Sequence, residues 1–204
     1  MIIENKMPVA VHFRYLKEDE MKNPLCCISK FCTLDIYIED LRRGVINLIK
    51  SAYTNYENKT SRDIQNYMMS QRQIIKLMEV VHTLKCNGED LKVSKDNPLY
   101  RNGSYWFGYH LDNRELISYP AIYFRQLTDN EVNNITLFFE DLFSFMSLPS
   151  WHDTMDNLIF CACSGENYDD TYGDNGCPMI FIMEYLEKLV ESIYLINYLR
   201  PYPF

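Results

Sequence analysis

The chain has 204 residues, of which 47 % are hydrophobic and 24 % are charged, and its formal net charge is −8. These proportions exclude a disordered chain, which would be poor in apolar residues, and they predict a single compact domain over residues 1–204. The acidic balance, with no stretch dense in Lys and Arg, argues against direct binding to nucleic acid.

The choice of residues indicates the kind of genome that encodes the chain. Phe, Tyr, Met, Ile, Asn and Lys supply 83 residues, whereas Gly, Ala, Arg and Pro supply 28. The first group has codons rich in A and T, and the second has codons rich in G and C. We therefore expect the source to be a phage, a virus, a mobile element or a low-GC bacterium.

The first residues predict the compartment. Glu4 and Lys6 interrupt the N-terminus, and the apolar stretch of a signal peptide does not follow them. No run in the sequence approaches the roughly 18 apolar residues of a membrane span. The chain has seven cysteines, an odd number, which favours reduced thiols. We expect a cytoplasmic protein, in the host cytoplasm for a phage or virus, with no membrane association.

Residues 1–38 have a β-rich pattern. Val9, Val11, Phe13 and Tyr15 alternate with other residues, which is typical of a half-buried strand. Residues 31–38 are a second run rich in β-formers. The sequence predicts N-terminal strands here.

Residues 39–87 change to a helical period. Apolar side chains recur three or four residues apart from Leu41 onward, after the acidic pair at 39–40. Thr60 and Asp63 open a second helix, which Gly88 should end. Two helices are predicted in this part.

Residues 88–127 are rich in aromatic residues and in turn signals. Asn102-Gly103 and Asp112-Asn113 are turn dipeptides, and the residues after each have β character. Pro120 would lie at an edge or a bulge. The pattern predicts a central hairpin or small sheet.

Residues 128–204 are again helical. Thr128 and Glu131 form a capping-box pattern, and Pro178 suits the first turn of a last helix. The whole chain is therefore predicted to be α+β and helix-dominated. It should hold about five helices, with a small β component from the N-terminal strands and the central hairpin.

Late cysteines and histidine raise two chemical hypotheses. Cys177 precedes a predicted helix, where the dipole lowers a thiol pKa, and His152 followed by Asp153 is the nearest candidate base. The same His152 could join Cys161, Cys163 and Cys177 in a zinc site. However, Cys161 and Cys163 have one intervening residue, so buried apolar thiols are the favoured interpretation, and no metal or cofactor is expected.

Acidic and aromatic clusters are the candidate contact surfaces. Tyr172 breaks the pattern of a calcium loop, so the acidic residues near it predict a solvated loop or a contact for a basic partner. The aromatic residues could anchor an interface or fill a core poor in Ala. The candidate interaction residues are Tyr105, Trp106, Tyr109, Glu166, Asp169, Asp170, Asp174, Tyr202 and Phe204.

The common nucleotide-binding and hydrolase motifs are missing from the sequence. The first hypothesis is accordingly a non-enzymatic protein that contacts a protein partner, as an inhibitor or adaptor of a host factor or as an assembly component. One alternative is a virion structural or connector protein, which would include homo-oligomers. The other is a small cytoplasmic thiol enzyme that uses Cys177 and His152.

Overall fold

The computed structural model describes residues 12–32, 38–54, 59–89, 91, 100–101, 104–105, 109–112, 115–118, 126–172 and 178–199. Within these ranges there are nine helices. They are α1 (Glu18–Lys22), α2 (Pro24–Cys32), α3 (Ile38–Ala52), α4 (Ser61–Asn87), α5 (Asp129–Asn133), α6 (Thr136–Phe145), α7 (Leu148–Ser164), α8 (Tyr168–Tyr172) and α9 (Met179–Leu199). Four short strands are β1 (Tyr100–Arg101), β2 (Ser104–Tyr105), β3 (Tyr109–Asp112) and β4 (Glu115–Ser118).

The core is built by the four long helices. Helices α3 and α4 pack on each other and on both α7 and α9, and α2 and α6 pack against this group. The largest fully buried apolar side chains come from α2, α3, α4, α6 and α7: Ile28, Leu48, Ile49, Ile74, Ile75, Leu77, Met78, Leu84, Phe138, Phe139 and Trp151. Helix α9 adds the fully buried Ile182, Leu186, Leu189, Val190 and Ile193. Aromatic and long aliphatic side chains therefore do most of the packing, as the scarcity of Ala implies.

One close helix contact depends on a glycine. A Cβ on Gly44 of α3 would lie 2.6 Å from the Ser70 hydroxyl oxygen of α4. The missing side chain thus allows the two helices to approach at this level.

Local signals set the helix ends as the sequence predicts. The Thr60 side chain caps α4 through the backbone N–H of Asp63, and Gly88 ends the same helix with a left-handed φ of 66°. Thr128 and Glu131 form the predicted capping box at α5. The helix predicted to continue from there is split, because Asn134 is extended and α6 starts afresh at Thr136.

The α+β prediction is wrong, because the fold is helical. Phe31 and Cys32 end α2, and Ile38 begins α3, so these parts of the predicted second strand are helical. Residues 12–16 form no strand in the described part of the chain. Their backbone N–H groups at 14–16 donate to the Glu79 carboxylate of α4, which takes the place of a neighbouring strand.

The central segment supplies no β layer either. Strands β1 and β2 pair across residues 102–103, and β3 and β4 pair across residues 113–114, each as an isolated antiparallel pair. The first pair flanks the predicted dipeptide Asn102-Gly103, whereas Asp112 of the second predicted dipeptide is the last residue of β3. Within the described residues, the two pairs do not join a larger sheet, so the predicted central hairpin adds no β layer to this part of the fold. Pro120 lies outside the described residues.

Candidate interaction surface

Large apolar side chains are exposed where α9 begins. Met179 is 37 % exposed, Ile180 61 % and Phe181 46 %, and Leu137 on the neighbouring α6 is 43 % exposed. Three consecutive apolar residues in one helical turn cannot all face the core, because successive side chains are about 100° apart. Ile182, the next residue, is the one that is fully buried.

Phe181, one of these exposed residues, belongs to an aromatic cluster. The Phe145 ring lies 6.4 Å from the Phe181 ring and stacks on the Tyr185 ring at 4.4 Å. Trp151 lies beneath, 6.0 Å from Phe145 and 6.2 Å from Tyr185. We call Leu137, Phe145, Ile180, Phe181 and Tyr185 the α6–α9 patch.

Hydrogen bonds hold the base of the patch in place. The Tyr185 hydroxyl donates to the Asp141 carboxylate at 2.9 Å, and the Trp151 indole N–H donates to the Leu142 carbonyl at 3.1 Å. Burial, the bond to Asp141 and nearby carboxylates raise the pKa of Tyr185 to about 12, so the phenol stays a neutral donor. An aromatic surface fixed in this way loses little side-chain entropy when another protein covers it.

Carboxylates surround the patch. Glu140 and Asp141 are exposed on α6, and the Glu184 side chain is 43 % exposed on α9. Lys188 is buried between Glu131 at 3.1 Å and Glu184 at 3.4 Å, so its charge is neutralised locally. Although burial alone would lower it, these two carboxylates raise the pKa of Lys188. The rim is therefore net negative.

His152, the predicted base, is buried in the helical bundle next to Glu79. It is 4 % exposed, and its Nε2 lies 3.3 Å from a Glu79 carboxylate oxygen, a contact that does not meet hydrogen-bond geometry. Asp153 does not orient the ring; it is exposed and faces Arg14 at 3.9 Å. Cys177, the predicted nucleophile, lies outside the described residues.

Glu79, the carboxylate next to His152, has a structural role. Glu79 is completely buried and accepts backbone N–H groups from Arg14, Tyr15 at 3.0 Å and Leu16 at 2.8 Å. The carboxylate therefore fastens the segment before α1 to the bundle. Burial raises its pKa, but His152 and the three N–H groups outweigh burial, so the pKa of Glu79 is lowered overall.

A second buried carboxylate fastens the segment before α5. Glu191 is completely buried, accepts the backbone N–H groups of Gln126 and Leu127 at 3.0 Å each, and pairs with Arg42 at 2.6 Å. Such groups are the expected partners of a buried charge. Sequence patterns gave no sign of either carboxylate, because a Glu within a helical stripe is ordinarily exposed.

The candidate metal ligands on α7 are spread along the helix. Cys161 and Cys163 follow His152 by nine and eleven residues, which places them about 14 and 16 Å further along the axis. Burial raises the pKa of both thiols. Among the described residues, no group of three His, Cys, Asp or Glu side chains has the arrangement that a metal ion needs.

The predicted contact residues fall in several places. Glu166, Asp169 and Asp170 are exposed around the start of α8. Tyr105 and Tyr109 lie in β2 and β3. Asp174, Trp106, Tyr202 and Phe204 lie outside the described residues. The α6–α9 patch was not predicted, although Met179, Ile180 and Phe181 lie off the apolar stripe of the last helix.

A thiol and an imidazole meet at the end of α4. The exposed Cys86 sulfur lies 3.6 Å from His82 Nδ1, and burial lowers the pKa of His82. Cys86 is in the last helical turn, where the negative end of the helix dipole disfavours a thiolate. The pair therefore lacks the electrostatics of an activated nucleophile.

Two further exposed apolar residues, Met68 and Phe160, lie toward the C-terminal end of α7, away from the end that holds Trp151. Gln71 of α4 donates to Asp156 of α7 at 2.8 Å. Met68 and Phe160 lie about one turn beyond this bond and are 57 % and 49 % exposed. Phe160 thus matches Phe181 in exposure without an aromatic cluster around it among the described side chains.

Comparisons with known proteins add no relative: no family model, curated protein or solved structure matches this chain. Within the described residues, none of the helices combines the length and the apolar character needed to cross a membrane.

Proposed function

We propose that this chain is a non-enzymatic protein that acts by binding another protein through the α6–α9 patch. It would be encoded by a phage, a virus or a mobile element with an A/T-rich genome. There it would work in the cytoplasm as an inhibitor or adaptor of a host factor, or as a component of an assembly.

The observation that carries the proposal is the exposure of Phe181 against a fixed aromatic base, with Ile180 and Leu137 exposed on the same two helices. A patch of this kind, on the order of 300 Å², falls in the range where apolar surface on a monomer is often functional. Covering it would contribute about 7 kcal/mol before the costs of association. An apolar centre with a charged rim is also the usual anatomy of a protein interface.

The test is affinity capture from lysate with three tagged proteins: wild type, Phe181→Asp and Phe160→Asp. The two phenylalanines are 46 % and 49 % exposed, so the second variant controls for a new surface charge. We expect one stoichiometric protein with wild type and with Phe160→Asp, and its loss with Phe181→Asp.

Other outcomes of the capture experiment would indicate a different role or a different contact surface. Capture of copies of this chain or of virion proteins alone would indicate an assembly component. Equal capture by all three proteins would reject the α6–α9 patch as the contact surface. A stable monomer without any partner would reject the proposal and favour the thiol-enzyme hypothesis, to be tested with Cys177→Ala.

A further inference from the structure

We infer that the occupant of the α6–α9 patch is an amphipathic helix whose apolar face is flanked by Lys and Arg. This inference rests on the proposed function and specifies the chemistry of the partner. It follows from the direction of the two helices, the spacing of the apolar groups and the sign of the rim.

The patch is a seam between two antiparallel helices. Phe181 contacts Phe145. One turn later on α9, Tyr185 contacts Phe145 and also Asp141, which lies one turn earlier on α6. The two helices therefore run in opposite directions. Leu137, Asp141 and Phe145 are four residues apart and share one face of α6. The apolar groups extend about 12 Å along the seam, which is the length that two turns of a partner helix cover.

Charge selects the kind of helix. Asp141 and Glu184 lie beside Tyr185 along the seam, and Glu140 is exposed one residue before Asp141. Lys188, next to Glu184, is buried between two carboxylates. The whole chain also carries a net charge of −8. A helix with Lys or Arg beside its apolar stripe would place those cations against the rim, whereas an acidic helix would be repelled.

The same charges disfavour a second copy as the occupant. A two-fold dimer through this patch is isologous, so each rim would face its own equivalent. Glu140, Asp141 and Glu184 of one subunit would then meet the same carboxylates of the other. Like charges brought together at an interface oppose binding.

The probes are three fluorescent synthetic peptides of about 18 residues each. The first has an apolar stripe at positions i, i+3, i+4 and i+7 and Lys on its polar face. The second keeps the stripe but carries Glu, and the third scrambles the Lys peptide. Fluorescence anisotropy with the full-length protein measures each Kd at two salt concentrations.

We expect the amphipathic Lys peptide to bind and the other two to bind at least about tenfold more weakly. Phe181→Ser should weaken binding about tenfold or more, and the matched variant Phe160→Ser should leave Kd within about twofold. Glu140→Gln combined with Glu184→Gln should weaken binding and reduce its salt dependence. The control pair Glu166→Gln and Asp169→Asn, around the start of α8, should change neither.

Several results would overturn the inference. Equal binding of the Lys and Glu peptides would remove charge as the selector, and equal binding of the scrambled peptide would indicate non-specific attraction. Self-association that Phe181→Ser abolishes would make a second copy the occupant. Phe181-dependent capture from lysate without binding of the Lys peptide would reject this inference alone, whereas loss of both would reject the proposed function as well.

Discussion

Replacing Glu79 with glutamine should destabilise the protein by about 3 kcal/mol at neutral pH. Glu79 is completely buried and accepts three backbone N–H groups from residues 14–16. Glutamine keeps the shape and one acceptor oxygen, but its NH₂ group would face N–H donors where the second oxygen was. One or two charge-assisted bonds are lost, at about 1.5–3 kcal/mol each.

The measurement is urea unfolding of wild type, Glu79→Gln and the control Glu140→Gln. The control removes a carboxylate that is exposed on α6, so its free energy of unfolding should stay within about 0.5 kcal/mol of wild type. A similarly small effect of Glu79→Gln at neutral pH would refute the structural role assigned to this carboxylate.

The pH dependence gives an independent check on Glu79. Its pKa in the folded protein lies below the ordinary value of 4.5, because His152 and the N–H groups outweigh burial. The stabilisation is therefore complete above about pH 4.5 and is lost as the pH falls through the folded-state pKa. The difference in unfolding free energy between wild type and Glu79→Gln should shrink over that acid range. A constant difference would contradict the claim that the ionised Glu79 carboxylate stabilises the fold.

Three further changes test other parts of the fold. Gly44→Ala should stabilise the protein by about 1 kcal/mol when Ser70 is replaced with alanine. It should not do so when Ser70 is present, because the new methyl group would lie 2.6 Å from the Ser70 hydroxyl oxygen. Effects of the two substitutions on the unfolding free energy that simply add would contradict this. Glu191→Gln should cost about 3 kcal/mol in urea unfolding, because its pair with Arg42 is buried; an effect below about 0.5 kcal/mol would refute that. The exposed Cys86 should react early with a thiol reagent, whereas burial raises the pKa of Cys32 to about 12 and should delay it; an unchanged fast phase in Cys86→Ser would disprove the assignment.

Helix boundaries could be predicted from the sequence because their causes are local. The side chain of Thr60 reaches a backbone group three residues away, and Gly88 adopts a left-handed conformation that other residues avoid. Neither feature depends on the rest of the fold. The capping box at Thr128 could be predicted for the same reason.

The N-terminal strands could not be excluded from sequence because alternation has two structural outcomes. An extended segment needs partners for its N–H groups, and a neighbouring strand is the usual one. Here the partner is Glu79, which lies 63 residues after Leu16 in sequence. A carboxylate in the middle of a helix carries no local sign that it will be buried for this purpose.

The α6–α9 patch could be predicted only in part. Met179, Ile180 and Phe181 are consecutive apolar residues, and helical geometry requires at least one of them to be exposed. Their association with Phe145 and Tyr185 depends on how α6 packs against α9, which is a tertiary property. The acidic residues Glu166 and Asp169, around the start of α8, had a clear composition signal, but charge alone indicates a solvated surface as readily as a contact.

Site-specific photo-crosslinking in the producing cells tests the proposed contact most directly. A photoreactive phenylalanine analogue would replace Phe181 in one protein and Phe160 in another, two positions of nearly equal exposure. We expect a covalent adduct with one other protein from position 181 and none from position 160. The absence of an adduct at position 181, or the same adducts from both positions, would contradict the claim that the α6–α9 patch binds a protein partner.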